Sequence, residues 1–428
     1  MTIQAQRQHL IQLFDAAIEA ANPLHCVPPA LPDPPERGRL VILAAGKGAG
    51  AMVQAAERHY LARDGADKLT GCGVTRTGFT APVKVIEMRE AGHPVPTQAS
   101  VMAATRALEL AHGVGEDDLV LVLLSGGASA LWTAPIQGVT LGDKQDVTRG
   151  LLASGARISE INCVRKHLSA IKGGRLARAA APARLITLAI SDVPGDDPSA
   201  IGSGPTVGDP STLGDARAIL KHRNVACPAS VTAVLSDASN ETLPPDDALF
   251  SASEYILVAR PADALHAAAK LARTFGYDVE MLGDSIEGEA RDVAREHARA
   301  ALDCKARGGR TALLSGGEVT VTVAGRGKGG PNQEYALALV DALDGAGGIC
   351  ALAGDTDGAD GGDGSPDDPA GAIVDPTTRA RAAAHGLNPA KFLQNNDSSG
   401  FFGILGDLVT PGPTRTNVND FRVILIDP

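Results

Sequence analysis

The chain has 428 residues, of which 44% are hydrophobic, 21% are charged and 3% are aromatic, and its formal net charge at pH 7 is −11. This length exceeds that of one ordinary hydrophobic core, so the sequence predicts two globular domains. The negative charge and the few aromatic side chains argue against nucleic-acid binding, and no apolar run reaches the length of a membrane span.

The cysteines and the N-terminal residues indicate the cellular compartment in which the protein is expected. The six cysteines are scattered, with no Cys-x-x-Cys pair and no cluster with histidine. This pattern argues against structural zinc and is typical of reduced thiols. The N-terminus lacks a basic region followed by an apolar segment, so we expect no secretory signal. A cytoplasmic protein is therefore expected.

The predicted elements form two runs of alternating strands and helices, which favours α/β architecture in both domains. The first run begins with an amphipathic helix over residues 3–21 and ends before the turn-rich residues 207–250, and the second begins at Tyr255. We place the domain boundary so that residues 1–245 form the first domain and residues 246–428 the second. The last predicted strand pairs into one of the two sheets.

A glycine-rich turn follows the first predicted strand. The apolar run Leu40 to Ala45 leads into Gly46-Lys47-Gly48 and then into a predicted helix over residues 51–61. Backbone N–H groups in such a turn, together with the start of a helix, can bind an anion. The Gly-x-Gly-x-Gly spacing matches neither the dinucleotide fingerprint nor the Walker A loop. Gly46, Lys47 and Gly48 are candidate ligand contacts, with a purely structural turn as the alternative.

Polar groups also follow later strands of the first domain. His93, in a proline-rich loop, is a candidate for substrate contact or for a structural role. A second glycine turn, Ser125-Gly126-Gly127, follows a strongly apolar run. Asp192 follows another such run, at the sheet edge where open α/β sheets bind ligands. We therefore predict Asp192 to contact a metal ion or a hydroxyl group.

A basic segment lies between the predicted strand before Ser125 and the predicted strand before Asp192. Residues 162–175 contain several Lys and Arg side chains and no acid, and they include the pair Gly173-Gly174. A charged run is often a solvated helix face. The adjoining glycines favour anion binding instead, which makes Arg165 and Lys172 candidate ligand contacts.

The second domain repeats the first pattern. Residues 311–339 form an apolar strand that is predicted to break at Ser315-Gly316-Gly317, followed by a glycine-rich turn and a helix that begins at Pro331. The turn and the helix start predict an anion pocket, and the Ser-Gly-Gly sequence repeats the turn at Ser125. We predict two glycine-rich sites that face one ligand. The candidate contacts of this segment are Ser315, Gly316, Gly317, Arg326 and Lys328.

Asp355 lies in an acidic loop, Gly354 to Gly361, after the next apolar run. The spacing of the acids does not fit a calcium-binding loop. A magnesium ligand or a hydroxyl acceptor fits better, with a plain acidic loop as the alternative.

These features together favour phosphoryl transfer. Its catalysis depends on positioning and on neutralising phosphate charge with Lys, Arg and Mg²⁺, and the chain combines glycine turns, clustered cations and acids at strand ends. No Gly-x-Ser-x-Gly sequence surrounds Ser125 or Ser315, so a hydrolase triad is unsupported. A nicotinamide-dependent reductase and a non-catalytic sensor remain as alternatives.

Several motifs, in a fixed order, resemble the two-domain glycerate 2-kinases, whose C-terminal half is the MOFRL domain. They are LLSGGASALW, ISDVPGDDPSAIGSGPT, LLSGGEVTVTVAGRGKGGPNQE, AGDTDGADG, and NNDSSGFF with GPTRTNVND. The resemblance implies an N-terminal Rossmann-like parallel sheet, a smaller C-terminal α/β domain and a cleft between them. It implies phosphorylation of D-glycerate to 2-phosphoglycerate, dependent on ATP and Mg²⁺. Some members carry the label hydroxypyruvate reductase, which is the alternative function.

The resemblance also implies roles for individual residues. Lys47 matches the lysine that contacts the phosphates or the transferring phosphoryl group. Pro331 stands where the family often has an arginine, so Arg326 or Lys328 is expected to replace that cation. Asp192 or Asp355 is expected to hold Mg²⁺ or to orient the hydroxyl group. The remaining contacts expected for glycerate or nucleotide, in an order left open, are the glycine turns at Ser125 and Ser315 with Arg165, Lys172, Glu318, Asn332 and Gln333. The expected partners are small molecules alone, and the expected assembly is a monomer or homodimer.

Overall fold

The computed structural model describes residues 1–63, 66–362, 365 and 367–428. The chain forms two compact units. Residues Pro23–Val258 form one, which we call the parallel-sheet unit. Met1–Asn22 and Ala259–Pro428 together form the other, which we call the mixed-sheet unit. None of the described helices combines the length and the apolar character needed to span a membrane.

These boundaries differ from the expected division into residues 1–245 and 246–428. The N-terminal helix α1 (Ile3–Ala20) buries Leu10 and Phe14 and packs against a helix and two strands of the second half of the chain. It therefore belongs to the mixed-sheet unit. The other boundary falls later than expected, because strand β6 (Ser253–Ala259) completes the sheet of the parallel-sheet unit.

The parallel-sheet unit alternates strands with helices. Its other strands are β1 (Leu40–Ala45), β2 (Leu69–Arg76), β3 (Glu87–Ala91), β4 (Leu119–Leu124) and β5 (Arg184–Ile190). Its helices are α2 (Pro23–Cys26), α3 (Ala49–Leu61), α4 (Gln98–His112), α5 (Ala128–Leu131), α6 (Leu141–Ala153), α7 (Ile158–His167), α8 (Arg175–Ala180), α9 (Leu213–His222) and α10 (Ala229–Ser236).

The sheet of this unit has the strand order β3-β2-β1-β4-β5-β6, and β1 to β5 pair in parallel. The two central strands, β1 and β4, are buried along their whole length. Such continuous apolar runs are typical of parallel strands that are covered on both faces. The predicted Rossmann-like sheet is confirmed. Because the strands are parallel, the loops that follow them lie along one edge of the sheet.

The mixed-sheet unit contains the remaining elements. Its strands are β7 (Asp278–Glu289), β8 (Thr311–Thr320), β9 (Ile349–Asp355), β10 (Gly371–Val374), β11 (Leu408–Val409) and β12 (Asp420–Ile426). Besides α1, its helices are α11 (Pro261–Thr274), α12 (Ala290–Arg307), α13 (Pro331–Leu343), α14 (Thr378–Ala384), α15 (Pro389–Gln394) and α16 (Ser398–Leu405).

The terminal strand β12 lies inside the sheet of its own unit, whose order is β11-β10-β9-β12-β8-β7. It pairs antiparallel with both β8 and β9 and is buried along its whole length. The last strand, which was expected in one of the two sheets, therefore belongs to the sheet of the mixed-sheet unit. The buried run Phe421 to Ile426 follows from this central position.

The predicted break at Ser315-Gly316-Gly317 is wrong, because β8 continues through these residues to Thr320. Gly317 has φ 108°, and a Cβ atom there would lie 2.2 Å from the Ile286 nitrogen and 2.3 Å from its oxygen. The glycine thus allows β7 to approach β8 where the register of β7 shifts. The Ser315 segment is a strand, whereas the Ser125 segment is a turn, so the two are not structural equivalents.

Helix α1 is held to its unit by ion pairs, which allows its placement to be tested. Arg7 contacts Asp375 at 2.6 Å and Asp407 at 2.8 Å, and both carboxylates are almost fully buried. We expect Arg7→Met to lower the free energy of unfolding by about 2 kcal/mol, because it removes one partner of two buried charges while Arg381 still pairs with Asp407. Urea denaturation measures this loss. Arg149→Met is the control, since Arg149 and Asp146 are both exposed, and an equal, small effect of both variants would contradict the placement of α1.

Candidate active site

The turn after β1 packs directly against the turn after β4. Gly46 has φ 135°, and a Cβ atom there would lie 2.1 Å from Ser125 Oγ and 2.5 Å from the Ser125 carbonyl oxygen. Only glycine fits so close an approach. The two glycine turns predicted in the first domain are therefore parts of one structure at the sheet edge.

The backbone N–H groups of the β1 turn are bound by the protein itself. The Gly46 N–H donates to the Val74 carbonyl oxygen at 3.2 Å, and the Lys47 N–H donates to the Gly126 carbonyl oxygen at 2.8 Å. The Gly48 N–H donates to Ser125 Oγ at 2.9 Å. These groups do not face a ligand, contrary to the prediction for Gly46 and Gly48. What this turn can offer to a ligand is the Lys47 side chain.

The β4 turn has the free N–H groups that the β1 turn lacks. Within the described part of the chain, the N–H groups of Gly126 and Gly127 have no hydrogen-bond acceptor. Gly127 has φ 82°, and a Cβ atom there would lie 3.0 Å from His93 Nε2 and 3.2 Å from Lys47 Cγ. The two adjacent N–H groups thus lie beside the Lys47 side chain and the His93 imidazole, an arrangement suited to anionic oxygens. We call Lys47, His93, Gly126 and Gly127 the glycine cradle.

The basic segment is not the solvated helix face that its charge could indicate. Lys166, Lys172 and Arg175 are buried. Arg175 donates to three backbone carbonyl oxygens, and Lys166 pairs with Asp209 at 3.0 Å. Lys172 donates to the carbonyl oxygen of Gly202 at 3.3 Å. Arg165, which is half-buried, approaches Asn162 Oδ1 at 3.5 Å.

Asp192 lies two residues past the end of β5, at the same sheet edge as the glycine cradle. It is half-buried. Burial raises the pKa of the Tyr255 hydroxyl, and the nearby carboxylates of Asp197 and Asp192 raise it further. Asp192 thus follows a strand at the sheet edge, and its contact with a metal ion or a hydroxyl group stays a prediction.

The glycine-rich turn of the mixed-sheet unit does not form the anion pocket expected of it. The N–H groups of Ala324 and Gly325 donate to Asn396 Oδ1 at 2.8 and 2.9 Å, and the N–H of Arg326 donates to Asn395 Oδ1 at 3.1 Å. A Cβ atom on Gly325 would lie 2.2 Å from the Asn395 carbonyl oxygen. The glycines allow two loops to meet, and the Arg326 side chain is exposed.

The start of α13 is likewise closed by a protein group. The N–H groups of Asn332 and Gln333 donate to the two carboxylate oxygens of Asp360 at 2.9 and 2.8 Å. Burial raises the pKa of Asp360 to about 7, although both N–H groups act in the opposite direction. The Asn332 side chain also donates to Asp420 at 2.6 Å. Asn332 and Gln333, predicted to contact a ligand, are buried in this network of protein contacts.

This region is held together by three residues to which the sequence motifs gave no role, namely Asp360, Asp420 and Asn396. Asp420 accepts the N–H of Val319 at 3.1 Å and pairs with Arg422. All three lie within motifs that were recognised in the sequence. The signal that could have found them is the coincidence of acids and amides with glycine turns that need acceptors.

The other predicted contacts of this unit lie at exposed positions or at a strand end. Glu318 is exposed on β8, opposite Glu287 in the register, and Lys328 is exposed in the turn. Asp355 ends β9, and its Oδ1 accepts the N–H of Asp357 at 2.9 Å. Asp355 is half-buried.

Among the described residues of each unit, no preformed set of protein ligands surrounds the metal ion expected at Asp192 or Asp355. Within each unit, the described residues include no group of three or more His, Cys, Asp or Glu side chains placed to hold a metal ion. Mg²⁺ is commonly bound by one or two carboxylates together with water and substrate phosphates. Single carboxylates at strand ends fit that mode of binding.

Two family models match the chain. A domain of unknown function, DUF4147, matches residues 9–236, and the MOFRL family matches residues 311–420. A D-glycerate 2-kinase from Thermotoga maritima is 38% identical over 97% of both chains. A putative hydroxypyruvate reductase from Agrobacterium vitis is 49% identical over 98% of this chain and 94% of its own length.

The fold agrees with a solved structure. The crystal structure of a glycerate kinase from Thermotoga maritima is similar with a TM-score of 0.86 and 37% identity, covering 99% of this chain and all of the other. The match in fold, the matched MOFRL domain and the identity over nearly the full length lead to one conclusion. The chain belongs to the glycerate 2-kinase family.

Proposed function

We propose that the protein transfers the γ-phosphoryl group of ATP to the 2-hydroxyl of D-glycerate, in a reaction that requires Mg²⁺. The observation that carries this proposal is the glycine cradle, where two free N–H groups meet the Lys47 and His93 side chains. The names of the Thermotoga relative and of the similar crystal structure support it.

The cradle has the groups that phosphoryl transfer needs. Charge in the transition state is spread over the oxygens of the transferring group, and fixed donors stabilise it without reorganisation. The N–H groups of Gly126 and Gly127 are held by the packing of the two turns, and Lys47 adds a full positive charge. His93 can hydrogen-bond a reacting oxygen through Nε2, which lies beside Gly127. We assign the phosphoryl group to this cradle.

We assign Mg²⁺ to Asp192 or to Asp355, each a half-buried carboxylate at a strand end. When bound, the ion neutralises phosphate oxygens. Two cations are proposed to replace the arginine missing at position 331, and both, Arg326 and Lys328, are exposed on the glycine-rich turn. We retain Arg326 as the catalytic candidate.

The reductase alternative rests on the name of the Agrobacterium relative. A bound dinucleotide would need the N–H groups of the β1 turn for its pyrophosphate and an acid about 20 residues on for a ribose. Those N–H groups donate to protein acceptors instead. Strand β2 contains no acid and ends at Arg76, which is buried and lies 5.0 Å above the Phe79 ring. The kinase is therefore the better supported function.

Replacing Lys47 tests the cradle. We expect Lys47→Met to lower kcat by about 10²–10³-fold, because it removes one fixed charge from the site of transfer. Release of ADP in the presence of D-glycerate, ATP and Mg²⁺ measures the effect. Lys221→Met, on an exposed position of α9, is the control and keeps the wild-type rate. Near-normal turnover by the Lys47 variant would show that the phosphoryl group is handled elsewhere.

Replacing Gly127 tests the geometry of the same site. In Gly127→Ala the new methyl group would meet His93 Nε2 at 3.0 Å, at a φ of 82°, so we expect kcat to fall about 10-fold or more through displaced contacts. Gly155→Ala is a matched control, because Gly155 also has a left-handed φ, 68°, but open space around it. Both variants should lose about 1 kcal/mol of stability in urea denaturation, since alanine disfavours this conformation. Equal activity of the two variants would contradict the assignment.

A further inference from the structure

Lys172 is a buried lysine without a carboxylate partner. Its side chain is 1% exposed, and within the described residues its ammonium group donates only to the Gly202 carbonyl oxygen, at 3.3 Å. An ammonium group has three N–H donors, and a buried charge is normally paired. Two of its donors are thus available to another acceptor.

The other buried cations of the same segment have closer acceptors than Lys172 has. Lys166, which is also buried, pairs with Asp209 at 3.0 Å, and Arg175 is surrounded by backbone carbonyl oxygens. Among the described residues, Lys172 has only one carbonyl oxygen as acceptor, where Arg175 has three and Lys166 has a carboxylate.

The charged groups that shift the pKa of Lys172 are cations. Burial holds the pKa of Lys172 well below its usual value, and Lys144 and Arg165 lower it further. Lys144 is itself buried and donates to the Leu168 carbonyl oxygen at 2.9 Å. Like charges in a buried cluster repel one another unless an anion lies between them.

A turn of unusual conformation lies against this cluster. Gly202, Ser203 and Gly204 have φ of 59°, 62° and 59°, so three successive residues are left-handed. Such a φ is uncommon for serine. This conformation places Ser203 Oγ 2.7 Å from Ser129 Oγ and 3.5 Å from Asn162 Oδ1, while the Gly202 carbonyl oxygen faces Lys172. Ser129, Asn162 and Arg165 are half-buried, so polar groups beside this turn are partly open to solvent.

The cluster adjoins the glycine cradle through α5. A Cβ atom on Gly202 would lie 3.2 Å from the Ala128 side chain, and Ala128 directly follows Gly127, with about 3.8 Å between their Cα atoms. The Gly202 turn, to which Lys172 donates, is thus packed against the residue that follows the glycine cradle. The nearly complete burial of Lys172 favours a small anion over a triphosphate.

We propose that Lys172 and Arg165 bind the carboxylate of D-glycerate and thereby direct its 2-hydroxyl toward the glycine cradle. This inference rests on the proposed function, because it assigns one end of the proposed substrate. It makes Lys172 a residue whose charge is unfavourable in the free protein and is compensated on substrate binding.

The test compares the thermal stability and the kinetics of Lys172→Met with those of the wild type. We expect the midpoint of thermal unfolding of the free variant to equal or exceed that of the wild type, because an unpaired buried charge is removed. The stabilisation produced by D-glycerate disappears, and KM for D-glycerate rises at least about 30-fold. The stabilisation produced by ATP stays.

Two further variants complete the experiment. Lys166→Met breaks a buried ion pair, so it lowers the unfolding midpoint by several degrees but keeps the stabilisation by D-glycerate. Arg165→Met, at a half-buried position, raises KM for D-glycerate without loss of ATP binding.

The outcomes separate this inference from the proposed function. If the wild type phosphorylates D-glycerate and the Lys172 variant keeps its KM and its stabilisation by D-glycerate, the carboxylate assignment fails alone. The same holds if the variant loses stabilisation by ATP and not by D-glycerate. If the wild type neither binds nor phosphorylates D-glycerate, the proposed function fails and the inference fails with it.

Discussion

The close packing of the β1 turn on the β4 turn is the contact on which the candidate site depends. Gly46 approaches Ser125 so closely that no side chain fits between them, and Ser125 Oγ accepts the Gly48 N–H. The N–H groups of the first turn are thereby satisfied, and those of Gly126 and Gly127 are left for a ligand. Electrostatic catalysis requires donors that are fixed before the reaction begins. Here the fixing is done by two glycine turns at the edge of a buried parallel sheet.

The mixed-sheet unit uses similar residues for a different purpose. Its glycine-rich turn donates its N–H groups to Asn395 and Asn396, and the start of α13 donates to Asp360. Glycine is needed at positions such as Gly325 because another backbone comes within contact distance. This network orders the turn that carries Arg326 and leaves that side chain exposed. The turn is thus a rigid support for a cation, and its backbone is not an anion site.

The sequence predicted the parallel sheet and the turns after its strands, because these follow from local apolar runs and from residues next to them. It did not predict which N–H groups remain free. The acceptor of the Gly48 N–H is 77 residues away, and Asn395 is 69 residues from Arg326, so no local pattern contains them. The same limit explains the misplacement of α1, whose partners lie in the second half of the chain. It also explains the predicted break at Ser315, since the strand that requires Gly317 is β7.

The most direct measurement of the central claim identifies the product of the purified protein with D-glycerate, ATP and Mg²⁺. Enolase serves as the reporter, because it acts on 2-phosphoglycerate and not on the 3-phosphate. We expect an enolase signal without added mutase, which establishes both the phosphoryl transfer and the hydroxyl group that receives it. Absence of this signal, together with oxidation of NADH or NADPH on addition of hydroxypyruvate, would contradict the account and assign the β1 turn to a dinucleotide.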